Sequence, residues 1–300
     1  MVTVRVPATI ANLGPAFDAL GLAVSLYNTV ELEPAATAWV EVHGEGEGEL
    51  PLDDRNLVHR AAAAVAGAAG RRQTFHIRCR NDIPLARGLG SSAAAIVGGM
   101  VAANAALGRP LEADIILRLA VGFEGHPDNV APALFGGAVV CGFSGGPAAP
   151  AVAYTRLTPA WEAALVVAVP GFPVSTEEAR RRLPAVVPFA DAAGNVARTA
   201  ALVASLLTGR MDLLASAMED ALHQPYRRPL VPGMQAVFEA ARAAGAYGAA
   251  LAGSGPSIVA PAPVERAAVV GEAMIRAFRD AGGAARAYTL RIDADGATVT

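Results

Sequence analysis

The chain has 300 residues, of which 53% are hydrophobic and 17% charged, with a formal net charge of -3. This composition can bury the cores of about two domains and excludes general disorder, and it gives no basic field for nucleic acid. All 24 basic residues are arginine, which excludes a Walker-A lysine, a protein-kinase strand lysine and a Schiff base.

Two cysteines, Cys79 and Cys141, are the only ones in the sequence. They provide neither a disulfide framework nor a Cys-rich metal site, which fits a reducing compartment. The sequence has no signal-like apolar region near residue 1 and no apolar run long enough to span a bilayer. We therefore expect a soluble cytoplasmic protein with no membrane partner.

The first half of the chain alternates strand and helix patterns. A strand at 2–6 ends at Pro7, and a Pro/Gly-rich turn then leads into a second strand that reaches Glu33. Further along, the patterns predict a helix at 53–69 capped by Asp53, a strand at 74–80, a glycine-rich turn at 84–92, helices at 93–106 and 111–123, a polar turn at 124–129 and a strand at 135–143.

A stretch rich in Gly, Pro and Ala at 144–150 predicts a domain boundary, with domains at 1–153 and 154–300. Strands and helices also interleave in the second domain. The patterns predict strands at 163–169, near 250, near 258 and at 285–292, and helices at 176–183, 196–207, 212–222, 234–244 and 264–281.

The glycine-rich turn at 84–92 feeds directly into a stretch of good helix formers. The first turn of a helix has unpaired N–H groups and a partial positive charge, so it attracts anions. Glycine lets the backbone close around phosphate oxygens, and a serine hydroxyl can bind phosphate or a nucleotide's Mg²⁺. A lone turn of this kind is more often an ordinary tight loop.

Two further turns carry the same chemistry. Residues 7–18 place the amide of Asn12 and the carboxylate of Asp18 on a turn rich in Pro and Gly, and residues 251–257 form a second glycine-rich turn between apolar strands. Three such loops in one chain favour a phosphate-binding site over three unrelated turns.

These segments together resemble the GHMP kinases, the family of galactokinase, homoserine, mevalonate and phosphomevalonate kinases. The motifs occur in order as PATIANLG from Pro7, PLARGLGSSAA from Pro84 to Ala94 and GSGP from Gly253. The resemblance implies an α+β, two-domain fold, with an N-terminal sheet-and-helix domain that carries the phosphate loop and a ferredoxin-like C-terminal domain. It also implies an ATP-dependent kinase that uses Mg²⁺.

Within the family, the string PATIANLGPAFDALGLA and the segments EGHPDNVAP, STEEAR and HQPYR resemble the homoserine kinases. Mevalonate kinases and galactokinases carry a basic residue in the first motif, where Thr9 stands here. Ile10 and Ala16 depart from the usual Ser and Gly but leave the polar groups in place. The resemblance therefore implies phosphorylation of the side-chain hydroxyl of L-homoserine by ATP, as a step of threonine biosynthesis.

The resemblance assigns roles that agree with the chemistry of a zwitterion, whose carboxylate suits the planar fork of arginine. For the substrate it implies Asn12, Asp18, His126, Asn129, Arg180 and Arg227. For ATP it implies Asn56, Pro84, Leu85, Ala86, Arg87, Gly88, Leu89, Gly90, Ser91, Ser92, Ala93, Ala94, Gly253, Ser254 and Gly255. Taken singly, each has an ordinary structural explanation, such as a solvated charge or a turn former.

For catalysis we expect Glu124 and Ser92, or Ser91, to hold Mg²⁺, because that ion prefers a few hard oxygens. Thr176 would lie near the reacting hydroxyl. Either Asp18 or the phosphate itself takes the hydroxyl proton. Two other functions remain open at this point: a GHMP kinase for another hydroxyl substrate such as mevalonate, and a non-catalytic nucleotide-binding homologue. Family resemblance also favours a homodimer.

Overall fold

The computed structural model describes residues 1–144 and 151–300, and within them two β-sheets carry the helices. The larger sheet contains seven strands. Its main path runs β11, β1, β2, β4, β3, and β5 pairs with both β2 and β6. The bounds are β1 Val2–Asn12, β2 Ala16–Ala35, β3 Trp39–Gly44, β4 Thr74–Asn81, β5 Ala138–Ser144, β6 Ala151–Leu157 and β11 Thr298–Val299. All these pairs are antiparallel except β3 with β4.

The first strand runs through Pro7 to Asn12, so the prediction that it ends at Pro7 was wrong. The register between β1 and β2 shifts between Pro7 and Ala8. A bulge at that point accommodates a residue that has no N–H to donate, and the strand continues beyond it. Only the short segment between Asn12 and Ala16 is left to form the turn.

The second sheet is antiparallel, in the order β10, β7, β9, β8. Its bounds are β7 Ala164–Pro170, β8 Ala250–Leu251, β9 Ile258–Ala262 and β10 Ala285–Leu290. Alternate side chains of β7 point to opposite faces. Leu165 and Val167 join the large core shared with the first sheet, whereas Val166 and Ala168 join a smaller core beneath the helices at Met234–Ala243 and Ala267–Asp280.

The described α-helices surround these sheets and set the termini that matter for function. Their bounds are α1 Leu57–Ala68, α2 Ser91–Ala106, α3 Ala113–Glu124, α4 Pro127–Phe135, α5 Thr176–Arg181, α6 Phe189–Thr208, α7 Leu214–Ala217, α8 Gln224–Arg227, α9 Met234–Ala243 and α10 Ala267–Asp280. None of them combines the length and apolar composition needed to cross a membrane.

Three helix predictions need correction. The cap of α1 is Asn56, whose side chain accepts from the Val58 N–H, and the helix begins at Leu57 rather than near Asp53. Pro127 starts a helix where a turn was predicted, since proline suits the first position of a helix. The helix predicted at 212–222 is confined to a 3₁₀ turn and the four residues of α7, because Asp220 accepts three backbone N–H bonds from 222–224 and forms a turn instead.

The Gly/Pro/Ala-rich stretch that predicts the domain boundary lies, from residue 145 to 150, outside the described residues. The position between residues 153 and 154 falls within β6, which pairs with β5 along its length. A division after Leu157 would keep β5 and β6 together, although β11 would still return from the second half of the chain to pair with β1. The position of the boundary between the two domains stays a prediction.

Candidate active site

The loop at 84–92 delivers its glycines to the N-terminus of α2, as predicted. Gly90 occupies the N-cap position in the left-handed conformation (φ 66°), and no side chain caps the helix. A Cβ on Gly90 would lie 1.9 Å from Thr9 Oγ1, and one on Gly88 would lie 2.1 Å from the Ala252 carbonyl oxygen. Because only glycine fits at these points, the loop packs tightly against the other two motifs while the first-turn N–H groups of α2 stay available for an anion.

The β1–β2 turn joins the first motif to the third. Asn12 and Asp18 both have positive φ, at 71° and 56°, which asparagine and aspartate tolerate better than most residues. Asn12 Oδ1 accepts from the Asp18 N–H at 3.0 Å, and Asn12 Nδ2 donates to the Gly253 carbonyl at 3.0 Å. The Gly253 N–H donates to the Ala11 carbonyl. Asn12 therefore sets the conformation of Asp18 and fixes the distance between two loops far apart in sequence.

Asp18 and Arg180 form a two-point ion pair. Arg180 Nη1 and Nη2 donate to the two oxygens of Asp18 at 2.9 and 2.8 Å, and each side chain remains about a third exposed. Arg180 lies in the last turn of α5, whose first turn is capped by Ser175. The predicted receptors for a carboxylate and for an ammonium group thus lie side by side and neutralise each other in the free protein.

Arg227 is almost fully buried at 2% exposure. Its Nη1 donates to the Gly253 carbonyl at 3.1 Å and lies 3.2 Å from His223 Nδ1. Its buried Nε has no hydrogen-bond partner among the described residues. Burial, together with the charge of Arg180, lowers the pKa of Arg227 to about 10, so it remains a cation at neutral pH. A buried cation with an unused donor is an anion receptor.

The Phe17 ring lies close to both arginines. The Arg180 and Arg227 guanidinium carbons are 5.4 and 5.3 Å from its ring centroid, and the His223 ring is 5.3 Å away. The ring faces can stabilise both cations and limit their rotation.

His126 and Asn129 are buried at the start of α4 and are positioned by partners that the sequence did not indicate. His126 Nδ1 lies 2.5 Å from Asp128 Oδ1. Burial alone would lower the pKa of His126, but the hydrogen bond and the charge of Asp128, helped by Glu124, raise it. Thr9 Oγ1 donates to Asn129 Oδ1 at 2.8 Å, so the first motif orients that amide.

Two hard oxygen donors meet at the mouth of the loop. Ser92 lies in the first turn of α2, and Glu124 is the last residue of α3. Ser92 Oγ donates to Glu124 Oε2 at 2.8 Å. A carboxylate and a hydroxyl beside a phosphate-binding helix end fit the ligand preference of Mg²⁺. Asp18, His126 and Asp128 also lie within 4.8 Å of one another. There, however, Asp18 is paired with Arg180 and Asp128 with the His126 ring, so Ser92 with Glu124 fits the ion better.

Most of the predicted residues line one cavity of about 100 Å³. Its lining includes Asn12, Asp18, Ala86, Arg87, Gly88, Gly90, Ser91, Ser92, Glu124, His126, Asn129, Thr176, Arg180, Arg227, Gly253 and Ser254. Thr176, the first residue of α5, places its Oγ1 3.5 Å from Ser254 Oγ. Substrate, phosphate and metal candidates therefore surround a single space.

Some predicted residues lie elsewhere. The Asn56 side chain caps α1 by accepting from the Val58 N–H, and it donates to the Pro51 carbonyl. It does not line the cavity. Pro84, Leu85, Leu89, Ala93, Ala94 and Gly255 also lie outside the lining. The Arg87 side chain donates to the carbonyls of Leu85, Pro170 and Gly171. It therefore secures the loop rather than facing an anion.

Sequence reasoning missed Thr9, Phe17, Asp128 and His223 as parts of the site. Phe17 and Asp128 are adjacent to predicted residues, and His223 lies one turn before Arg227, so their positions within the motifs were the available signal. The sequence offered no signal for the contacts between distant residues, such as that of Thr9 with Asn129.

Two regions of the chain match known domains: residues 56–137 match the GHMP kinases N terminal domain, and residues 202–280 match the GHMP kinases C terminal domain. The chain belongs to the GHMP kinase family.

Relatives within that family are similar over their full length. The chain is 48% identical over 299 residues to the homoserine kinase of Carboxydothermus hydrogenoformans, covering 99% of this chain and 96% of that one. It is 44% identical to the homoserine kinase of Desulfitobacterium hafniense, with 100% of both chains covered. The crystal structure of homoserine kinase from Cytophaga hutchinsonii matches with a TM-score of 0.89 at 32% identity, covering 100% of this chain and 97% of that one.

Proposed function

We propose that this chain transfers the γ-phosphoryl group of ATP to the side-chain hydroxyl of L-homoserine, producing O-phospho-L-homoserine. The observation that carries the proposal is the shared cavity, where the Asp18–Arg180 pair and Arg227 face the N-terminus of α2. Similarity to proteins named homoserine kinase over the full chain length supports the same substrate.

The substrate would bind as a zwitterion. Arg227, with its unused Nε, and Arg180 would receive the carboxylate, and Asp18 would receive the ammonium group. Asn12, His126 and Asn129 would complete the polar wall. A substrate that carries both charges replaces the internal ion pair without leaving an unpaired charge, which favours an amino acid over a neutral sugar.

The phosphates of ATP would lie against the N–H groups of 88–92, where the helix end stabilises negative charge. Ser92 and Glu124 would hold Mg²⁺, which neutralises charge on the transferring phosphoryl group when bound. Thr176 would orient the attacking hydroxyl from the first turn of α5. Positioning and charge neutralisation are the main requirements of phosphoryl transfer.

Asp18 fits a binding role better than a base role. Both of its oxygens accept from Arg180, at 2.8 and 2.9 Å, so the carboxylate is already engaged with a cation, and its remaining lone pairs suit the substrate ammonium group. Asp18→Asn tests this: a binding role raises KM for homoserine, whereas loss of a base lowers kcat with KM little changed. With Asp18 in a binding role, the proton passes to the phosphate.

A coupled ADP-release assay tests the proposed function directly. L-homoserine is compared with mevalonate, galactose, L-serine and L-threonine under identical ATP and Mg²⁺ concentrations. A clear preference for L-homoserine supports the proposal, and a preference for any of the other four overturns the substrate assignment. Nucleotide binding without turnover of any of them would indicate a non-catalytic member. Sedimentation of the purified chain tests the homodimer that family resemblance favours.

A further inference from the structure

His223 is fully buried between two of the site's loops. Its Nε2 lies 2.6 Å from the Gly14 carbonyl oxygen, which can only accept, so Nε2 carries the hydrogen. Its Nδ1 lies 3.2 Å from Arg227 Nη1, which can only donate, so Nδ1 presents a lone pair. Both contacts are satisfied together by one form of the ring, the neutral Nε2–H tautomer.

The segment that carries His223 is rigidly held. Asp220 accepts from the backbone N–H groups of 222, 223 and 224, and the Gln224 side chain accepts from the Leu251 N–H at 2.7 Å. Asn195, on α6, donates to both Asp220 and the Pro15 carbonyl. The position of the imidazole is thus fixed by the β1–β2 turn, by α6 and by β8.

We propose that His223 is a positioning residue for the substrate carboxylate, which holds the Arg227 guanidinium in place through the lone pair of its neutral ring. The inference rests on the proposed function, since it assigns Arg227 to the carboxylate. His223 touches no substrate itself. It connects the Gly14 carbonyl of the first motif to Arg227, and Arg227 continues the connection to the Gly253 carbonyl of the third.

The charges around the ring agree with a neutral imidazole. Burial and the Arg227 cation lower the pKa of His223, against opposing contributions from Asp220, the Gly14 carbonyl and Asp18. The Asp220 carboxylate is 3.6 Å from Nε2, and its oxygens are occupied by backbone N–H groups. The remaining neighbour is the uncharged Phe17 ring. Protonation of Nδ1 would replace the Arg227 hydrogen bond by contact between two cations.

Three variants test the positioning role by steady-state kinetics. His223→Leu removes both hydrogen bonds and should raise KM for L-homoserine about tenfold or more, with KM for ATP and kcat within about threefold. His223→Gln keeps one donor and one acceptor and should restore most of the affinity. His59→Leu is the matched control, because His59 is another buried histidine, bonded to Thr74 and outside the cavity. It should change neither KM.

An unchanged KM for L-homoserine in His223→Leu, or an equal rise of both KM values, would overturn the inference. Nitrogen-15 NMR of the wild-type imidazole gives an independent result at pH 7.5, even where the Leu variant does not fold. The neutral Nε2–H form supports the inference, and the Nδ1–H form or a doubly protonated ring refutes it. If the wild type fails to phosphorylate homoserine, the proposed function is refuted instead. The NMR result then still tests the hydrogen bonds of His223 by itself.

Discussion

Gly90→Ala is the smallest change that should disrupt the contact between the phosphate loop and the first motif. The new Cβ would lie 1.9 Å from Thr9 Oγ1, at a residue whose φ is 66°. Thr9 is fully buried, and its hydroxyl donates to Asn129 at 2.8 Å. It cannot rotate away without leaving the Asn129 carbonyl oxygen unpaired.

The expected cost has two parts. Overpacking a tight site costs about 1–3 kcal/mol, and placing alanine in the left-handed region adds roughly 1–2 kcal/mol, so Gly90→Ala should lose about 2–5 kcal/mol of stability. Thr9→Ala should lose about 1–3 kcal/mol, because Asn129 Oδ1 loses its donor. Thr9→Ala also removes the atom that the Gly90→Ala methyl group would clash with. The double variant should therefore lose at least about 1 kcal/mol less stability than the sum of the two single losses.

Urea denaturation of the wild type, both single variants and the double variant measures this coupling. Gly122→Ala is the control, since a Cβ there meets no atom within 4 Å in the helix α3 and should stabilise by about 0.5–1 kcal/mol. KM for ATP should rise in Gly90→Ala and stay unchanged in Gly122→Ala. Additive losses in the double variant, or a Gly90→Ala protein as stable as wild type, would refute the geometric argument.

Arg180→Lys keeps the charge but loses the planar fork, so KM for homoserine should rise about tenfold in steady-state assays, with KM for ATP unchanged. Glu124→Gln should raise the Mg²⁺ concentration needed for half-maximal rate, and an unchanged Mg²⁺ dependence would contradict the metal assignment. Asn56→Ala should lower stability by about 1 kcal/mol through loss of the α1 cap; unchanged KM for ATP would favour the cap over the ATP contact that the resemblance implies. Since Asp128 raises the pKa of His126 above 6.5, the pair's stabilisation is fully present below pH 6.5 and is lost as pH rises through the folded pKa. The Tm difference between wild type and Asp128→Asn should therefore shrink with increasing pH, and a constant difference would contradict the charged pair.

The phosphate loop was predictable because its chemistry is local. A run of glycines and serines followed by helix formers specifies a turn and a helix start, and the structure places α2 at Ser91–Ala106. The α+β, two-domain fold of the GHMP kinases, expected from the three motifs, is confirmed by the family comparisons. The residues in those motifs mostly reached one cavity.

The contacts within the site were not predictable, because they depend on register and on pairs far apart in the chain. Asp18 and Arg180 are 162 residues apart, and Thr9 and Asn129 are 120 apart. Nothing in a single sequence specifies that one phenylalanine ring lies within 5.4 Å of two such arginines. The strands β3 and β6 were also missed, although Val40 and Val42 alternate with polar side chains in β3. Each pairs with a single strand, β3 with β4 and β6 with β5.

The phosphate loop is held in place by its one basic side chain. Arg87, the only basic residue of the second motif, donates to the Pro170 and Gly171 carbonyls at the end of β7. The Arg87 guanidinium is thus bonded to carbonyl oxygens, and burial lowers the pKa of Arg87. The anion-attracting field at Gly90 then comes from the helix end, and the arginine instead ties the loop to the second sheet.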